Sequence, residues 1–326
     1  MNKDDIRKIL VISLTNLGDV ILSFPVIDIL KENFPGAELS VVVGPKARDL
    51  FQGNPHIQNV YIFNKQQSGF KKFSWVMNLR KEKFDFVIDL RNTAIPFFLN
   101  PKYRTSSQVV KSKAPHMRQK HLNRLNSFFL FPLESKNRYA LSIVDDVRRS
   151  VDALLQAAGA EGRKFVVVSP GAANQFKRWT PEGFAAVCDE LICSLAVKIV
   201  FVGDRNDCDA AAAVAERMKE SAVNLCGKTS LLELADLLRR SFFVIANDSA
   251  VMHLASYCDI PTIAIFGPTD PRKYGPWSSR RRVVRKELFC SPCEKSGCAY
   301  DHECMKHLSP SEVLKAVREI CGGENS

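Results

Sequence analysis

Asn247, Asp248 and Ser249 stand between a short apolar run, residues 242–246, and a helical stretch to Tyr257 that puts His253 one turn after Ser249. A second apolar run, residues 263–266, closes on Gly267-Pro268. The segment reads as strand, polar turn, helix and strand, the arrangement in which α/β proteins place chemistry at strand ends. A helix opening at Ser249 offers unpaired backbone N–H groups and partial positive charge, so Ser249 and Ala250 are candidate phosphate contacts. Asp248 is itself negative and repels phosphate, which implies that something else is held there too. His253 reads either as a structural histidine or as a supporting member of the site.

Other residues have the right types for chemistry. Asp19 follows the first apolar strand and reads either as a general base or as a carboxylate that complements the dipole of its own helix. Gly18 beside it permits a tight turn and a close backbone approach. Gly171-Ala172-Ala173 form a small-residue turn whose N–H groups suit phosphate, and Lys177 adds a full positive charge or is an exposed loop lysine. Asp207 follows the Gly203-Asp204 strand end and is a weaker ligand candidate. Asp207-Cys208-Asp209 has the DxD form of a metal-binding tripeptide, but reads as a helix start. Cys290, Cys293, Cys298 and Cys304 are spaced C-x2-C-x4-C-x5-C. They read as a structural site for zinc or another metal, as reduced thiols, or as disulfides.

The elements that must position these residues alternate along the whole chain. Apolar runs near residues 9–14, 39–43, 60–63 and 86–90 alternate with helical stretches, the first carrying Val20, Ile21, Phe24, Ile27 and Leu30 at helical spacing. The alternation restarts after Gly162 with FVVVSPG. It continues through a helix capped by Thr180-Pro181, VKIVFVGD, VNLCG and a helix opened by a Ser230…Glu233 capping box. This predicts an α/β protein with parallel sheets covered by helices on both faces. A chain of 326 residues suits two domains, read as 1–160 and 161–326. No apolar run is long enough to span a bilayer, and the acidic start MNKDDIRK is unlike a signal peptide, so the expected location is cytoplasmic.

The formal charge is +11, and from residue 90 to residue 133 there is no acidic residue. That stretch holds Arg91, Lys102, Arg104, Lys111, Lys113, Arg118, Lys120 and Arg124. It reads as a solvated loop or as an anion-binding surface for phosphorylated or acidic substrate, membrane or nucleic acid. A second basic group, from Arg272 to Lys286, follows the last clear strand. Few aromatic residues accompany either group, so nucleic acid is not the expected partner.

Four motifs carry a family resemblance over nearly the whole length. They are Asn16-Leu17-Gly18-Asp19-Val20; Ser169-Pro170-Gly171-Ala172 with Lys177-Arg178-Trp179; Gly227-Lys228-Thr229-Ser230-Leu231; and Asn247-Asp248-Ser249 through His253 to Phe266-Gly267-Pro268-Thr269-Asp270-Pro271. With them the chain resembles glycosyltransferase family 9, the ADP-heptose:lipopolysaccharide heptosyltransferases. The resemblance implies a glycosyltransferase-B fold of two Rossmann-like domains facing across a cleft, the first binding acceptor and the second binding nucleotide-sugar.

It also implies inverting transfer of a heptose or related sugar from ADP-heptose to the lipopolysaccharide inner core, with no cofactor required for catalysis. Asp19 is then the base, Lys177 stabilises the leaving diphosphate, and Asp248 takes a sugar hydroxyl. Gly171, Ala172, Ala173, Asp207, Ser249, Ala250 and His253 belong to the donor side. Gly18, Lys111, Lys113, Arg118 and Lys120 belong to an anionic glycolipid acceptor, with peripheral contact to the inner membrane surface. Two rivals stand beside this reading: a nucleotide-sugar epimerase of the same fold, and a non-enzymatic nucleic-acid binder built on the basic and cysteine-rich segments.

Overall fold

Short, continuously apolar runs are the signature of strands buried on both faces, and here they become the inner strands of two parallel sheets. The computed structural model describes residues 5–13, 16–105, 115–126, 131–132, 134–295 and 297–322. Lys111 and Lys113 lie outside the described residues. The chain divides into two units, residues 1–142 and 143–326.

In the first unit the strands are β1 (Lys8–Ile12), β2 (Glu38–Val43), β3 (Asn59–Ile62), β4 (Phe86–Asp89) and β5 (Tyr103–Arg104). They pair in parallel in the order β3-β2-β1-β4-β5. The helices are α1 (Leu17–Asn33), α2 (Gly69–Arg80), α3 (Ile95–Leu99) and α4 (Met117–Asn126). Val20, Ile21, Phe24, Ile27 and Leu30 of α1 are all buried, as their spacing predicts. So is Asp28, which accepts the Ala140 N–H at 2.8 Å. A buried carboxylate needs such a donor, and this one ties the end of the unit back onto α1.

The second unit contains α5 (Asp145–Ala157), β6 (Phe165–Ser169), α6 (Pro181–Leu195), β7 (Lys198–Phe201), α7 (Cys208–Ala215) and β8 (Val223–Asn224). It continues with α8 (Leu231–Arg240), β9 (Val244–Asn247), α9 (Ala250–Tyr257), β10 (Thr262–Phe266), α10 (Pro271–Tyr274), β11 (Arg281–Arg285), α11 (Glu303–Lys306) and α12 (Pro310–Gly322). The sheet order is β11-β10-β9-β6-β7-β8, again parallel. Thr180 caps α6 by accepting the Gly183 N–H, and Ser230 and Glu233 form the expected capping box on α8.

Two sequence readings change here. The segment before residue 160 was assigned to the first domain, yet α5 packs against α8 of the second unit. Its buried stripe, Val151 and Leu155, meets that helix, and Ser150 and Asp152 bond Glu233 and Arg240. The second basic group contains a strand the sequence did not disclose, β11, at the sheet edge. Five of its seven basic side chains are engaged in ion pairs. Arg282 pairs with Glu319, Arg285 with Glu287, Lys286 with Glu312, Lys273 with Glu294 and Arg272 with Asp270. Charged side chains on an exposed edge also discourage pairing with another chain.

Candidate active site

Each sheet starts at an inner strand, grows to one side, and then returns to grow on the other. The reversal falls between β1 and β4 in the first unit and between β6 and β9 in the second. Loops leaving the carboxyl ends of those two strands diverge at such a point and leave room for a ligand. Every residue given a catalytic role from sequence lies at one of these two reversals.

In the first unit Asp19 sits in the first turn of α1, directly after β1. Arg91 follows β4, and its guanidinium lies 4.0 Å from the Asp19 carboxylate. Asp89, at the end of β4, fixes that arginine: its side chain accepts the Arg91 N–H at 2.8 Å and the Thr93 hydroxyl at 2.9 Å. Its own N–H donates to the Thr105 hydroxyl on the neighbouring segment at 3.0 Å. Gly18 lies within the first turn of α1. His121 on α4 is buried. Burial first, and the Arg91 charge next, push its pKa down to about 4, so the imidazole is neutral at pH 7. Arg118 pairs with Glu134, and Arg124 bonds the Asn92 side chain. Lys120 is half-buried on α4.

In the second unit the loop after β6 and the turn after β9 are joined by three contacts. Lys177 Nζ lies 2.7 Å from Asp248 Oδ2, with the aspartate buried and the lysine half-buried. Asn247 accepts the Trp179 N–H at 3.1 Å and donates to the Pro170 carbonyl at 2.8 Å. Its side chain therefore staples both ends of the loop that carries Gly171 to Lys177. Asn174 caps the short 3-10 turn Gln175–Lys177 by accepting the Phe176 N–H. Trp179, buried, donates its indole N–H to the Leu308 carbonyl at 3.0 Å.

Gly171 and Ala172 are buried, and Ala173 is exposed. A Cβ on Gly171 would fall 2.1 Å from the Asp207 carboxyl carbon, so only glycine permits this approach. Asp207 is held in place by the Asp204 N–H and by Arg178 at 3.5 Å, and burial raises its pKa. It closes a capping box with Asp204, as the helix-start reading of Asp207-Cys208-Asp209 required. Arg178 reaches the Ala172 carbonyl through two N–H groups, at 3.0 and 2.8 Å. Ser249 Oγ is a buried hydroxyl with no hydrogen-bond partner among the described residues, and Ala250 opens α9. His253 is buried and stacks on Trp277 at 5.7 Å.

The second unit thus gathers a cation, a buried carboxylate, a helix N-terminus with an unengaged hydroxyl, and a turn of small residues. That set suits a ligand with both phosphate and hydroxyl groups. Sequence reading places Asn247 and Arg178 only within motifs and Arg91 only within the basic stretch, with no individual role for any of them. An amide at the last position of a buried strand was the available signal for Asn247. The pairing partners of the two arginines depend on strand order, which local sequence does not carry.

No two cysteines among the described residues are joined in a disulfide. Cys290, Cys293, Cys298 and Cys304 line one cavity of about 640 Å³ together with Phe176 and Phe289. Burial, and then the neighbouring thiols, push the Cys304 pKa up to about 11. Among the described residues no group of three or more His, Cys, Asp or Glu is placed to hold a metal ion, so the expectation of zinc gains no support.

Comparison with known proteins points the same way. The family described as glycosyltransferase family 9 (heptosyltransferase) matches residues 73–303. Lipooligosaccharide heptosyltransferase 2 of Campylobacter jejuni is 26% identical over 317 residues, covering 94% of this chain and 96% of its own. A family 9 glycosyltransferase structure from Veillonella parvula superposes with TM-score 0.82 at 23% identity, covering 97% of this chain and 98% of its own. The structure of Escherichia coli ADP-heptose lps heptosyltransferase II gives TM-score 0.79 at 21% identity, covering 98% and 100%.

Proposed function

Because this chain belongs to glycosyltransferase family 9, the heptosyltransferases, we propose that it transfers a heptose from ADP-heptose to the lipopolysaccharide inner core. The observation that carries the reading is the Lys177–Asp248 pair at the β6/β9 reversal, where cation and carboxylate stand 2.7 Å apart. A nucleotide-sugar offers each a partner: diphosphate for the lysine, sugar hydroxyl for the aspartate.

In the proposed reaction the second unit binds the donor. Lys177, the N–H groups of Gly171 and Ala172, and the start of α9 at Ser249 and Ala250 face the diphosphate. As the glycosidic bond breaks, negative charge grows on the leaving ADP, and these groups are already oriented to meet it. Asp248 holds a sugar hydroxyl, while His253 supports the α9 face. The first unit supplies Asp19, which takes the proton from the acceptor hydroxyl as that oxygen attacks the anomeric carbon from the side opposite ADP. Arg91, 4.0 Å away, orients the Asp19 carboxylate.

The charge on the leaving group is met by protein cations and N–H groups, so this chemistry asks for no bound metal, and the cysteine cluster has no part in it. The basic stretch with Lys111, Lys113, Arg118 and Lys120 holds acidic groups of the acceptor, at the cytoplasmic face of the inner membrane. The ion pairs of Arg282, Arg285 and Lys286 around β11 count against the nucleic-acid alternative.

A panel of nucleotide-sugars incubated with and without lipopolysaccharide core tests the reading. ADP release only when ADP-heptose and core are both present is the expected result. Release without acceptor, or conversion of the donor to an isomer, would overturn it.

A further inference from the structure

The first unit exposes four phenylalanines on two adjacent helices. Phe70 and Phe73 lie one turn apart in the first half of α2, 83% and 52% exposed, and Phe97 and Phe98 lie in α3, 51% and 43% exposed. The helices pack on each other, with the Phe73 and Phe98 rings 5.9 Å apart, so the side chains form one patch. The core does not require these rings. On α2 the inward face is already formed by Val76 and Leu79 with Trp75 beside them, and on α3 by Ile95 and Leu99. Contiguous exposed aromatic surface of this kind marks an interaction site.

The charge around the patch specifies the partner. Neither α2 nor α3 contains an acidic residue, while Lys71 and Lys72 lie between Phe70 and Phe73. Arg104 on β5 stacks over the Phe97 ring at 4.2 Å, while Lys102 two residues before it is paired with Asp5. Aromatic rings flanked by lysine and arginine suit an anionic bilayer surface, where rings enter the headgroup region and cations meet lipid phosphates.

The topology adds a second reason. All strands of this sheet are parallel, so their carboxyl ends share one edge. The start of α2 follows β3 at that edge, α3 follows β4, and Asp19 follows β1. The aromatic patch and the proposed base are therefore on the same end of the unit.

We propose that Phe70, Phe73, Phe97 and Phe98, with Lys71, Lys72 and Arg104, form the surface by which this protein docks on an anionic lipid bilayer. This rests on the reading of the acceptor as a membrane glycolipid, and it assigns the contact to α2 and α3 as well as to the basic stretch. Docking presents the Asp19 edge to an acceptor whose sugars project from the same membrane.

The test is flotation of the full-length protein with vesicles of phosphatidylglycerol mixed into phosphatidylcholine, and with phosphatidylcholine alone. The variants are F70S/F73S, F97S/F98S and K71E/K72E, each checked for an unchanged thermal midpoint. The expected result is binding to the anionic vesicles that falls by roughly tenfold or more in each variant. Failure of the wild type to float, or flotation unchanged in both phenylalanine pairs, overturns the proposal. So does a wild-type dimer that the phenylalanine variants convert to monomer, since a second copy would then cover the patch. Turnover is measured in parallel on a de-acylated, water-soluble core acceptor and on the same core in vesicles. The phenylalanine variants should retain the first rate and lose the second. Absence of both rates in the wild type would count against heptosyl transfer, while the flotation result would still decide docking.

Discussion

Lys177 and Asp248 neutralise each other across the reversal between β6 and β9, with the aspartate 5% exposed and the lysine 30%. A ligand entering here must replace that ion pair with its own groups, anion to lysine and hydroxyl to aspartate. On the proposed reading donor recognition is an exchange of partners, and a ligand with only one of the two groups leaves the other side chain without a partner.

Lys177→Ala should lower turnover by roughly 10²- to 10³-fold, because a charge aimed at the leaving diphosphate is lost. It also strands the Asp248 carboxylate, so a concentration series in urea should show a loss of about 1–2 kcal/mol in the absence of donor. Saturating donor should not restore the rate. A variant with the wild-type rate would remove Lys177 from the chemistry.

For Asp19→Asn the expected pattern is different. The amide keeps size and polarity but accepts no proton, so turnover should drop by roughly 10²- to 10⁴-fold while ADP binding, measured by calorimetry, stays unchanged. Weakened ADP affinity with an unchanged rate would assign Asp19 to structure.

Asn247→Ala removes the side chain that holds both Trp179 and the Pro170 carbonyl. Two buried backbone groups are then unpaired, a cost of about 3 kcal/mol. Hydrogen exchange of residues 170–179 should accelerate, and the donor KM should rise more than turnover falls. An unchanged exchange profile would show that the loop is held by something else.

His121 makes stability depend on pH. In the unfolded chain it titrates near its ordinary value of 6.5, whereas in the folded protein its pKa is pushed down to about 4. Above pH 6.5 both states are neutral and the protein has its full stability. As pH falls from 6.5 towards 4, the unfolded chain takes up a proton that the folded one refuses, and stability declines by up to about 3 kcal/mol. His121→Leu should flatten this limb in urea titrations at pH 7 and pH 4.5. An identical slope in the variant would place the acid sensitivity elsewhere.

The inner strands, α1 and the caps on α6 and α8 were legible because each rests on local signals: apolar runs, helical spacing, and a capping residue before its helix. β11 was not, since Arg281-Arg282-Val283-Val284-Arg285 reads as surface and only Val284 is buried. Charged edge strands look like loops to any reading based on hydrophobicity. Asp19, Lys177, Asp248 and Ser249 are proposed from strand ends and family motifs. Their partnerships were not, because the Asp19–Arg91 and Lys177–Asp248 contacts follow from strand order, a long-range property. The free-looking basic group at residues 272–286 failed for the same reason: Glu312 and Glu319 are distant in sequence and adjacent in the fold.

The hydrogen bond from the Trp179 indole to the Leu308 carbonyl spans 129 positions. On a chain made from its amino end, the loop bearing Lys177 receives this anchor only after more than a hundred further residues have been made. The first unit can close its sheet long before that. The loop therefore matures well after its own synthesis, and a polypeptide ending short of Leu308 would carry every proposed catalytic residue while lacking the backstop for the loop that bears Lys177.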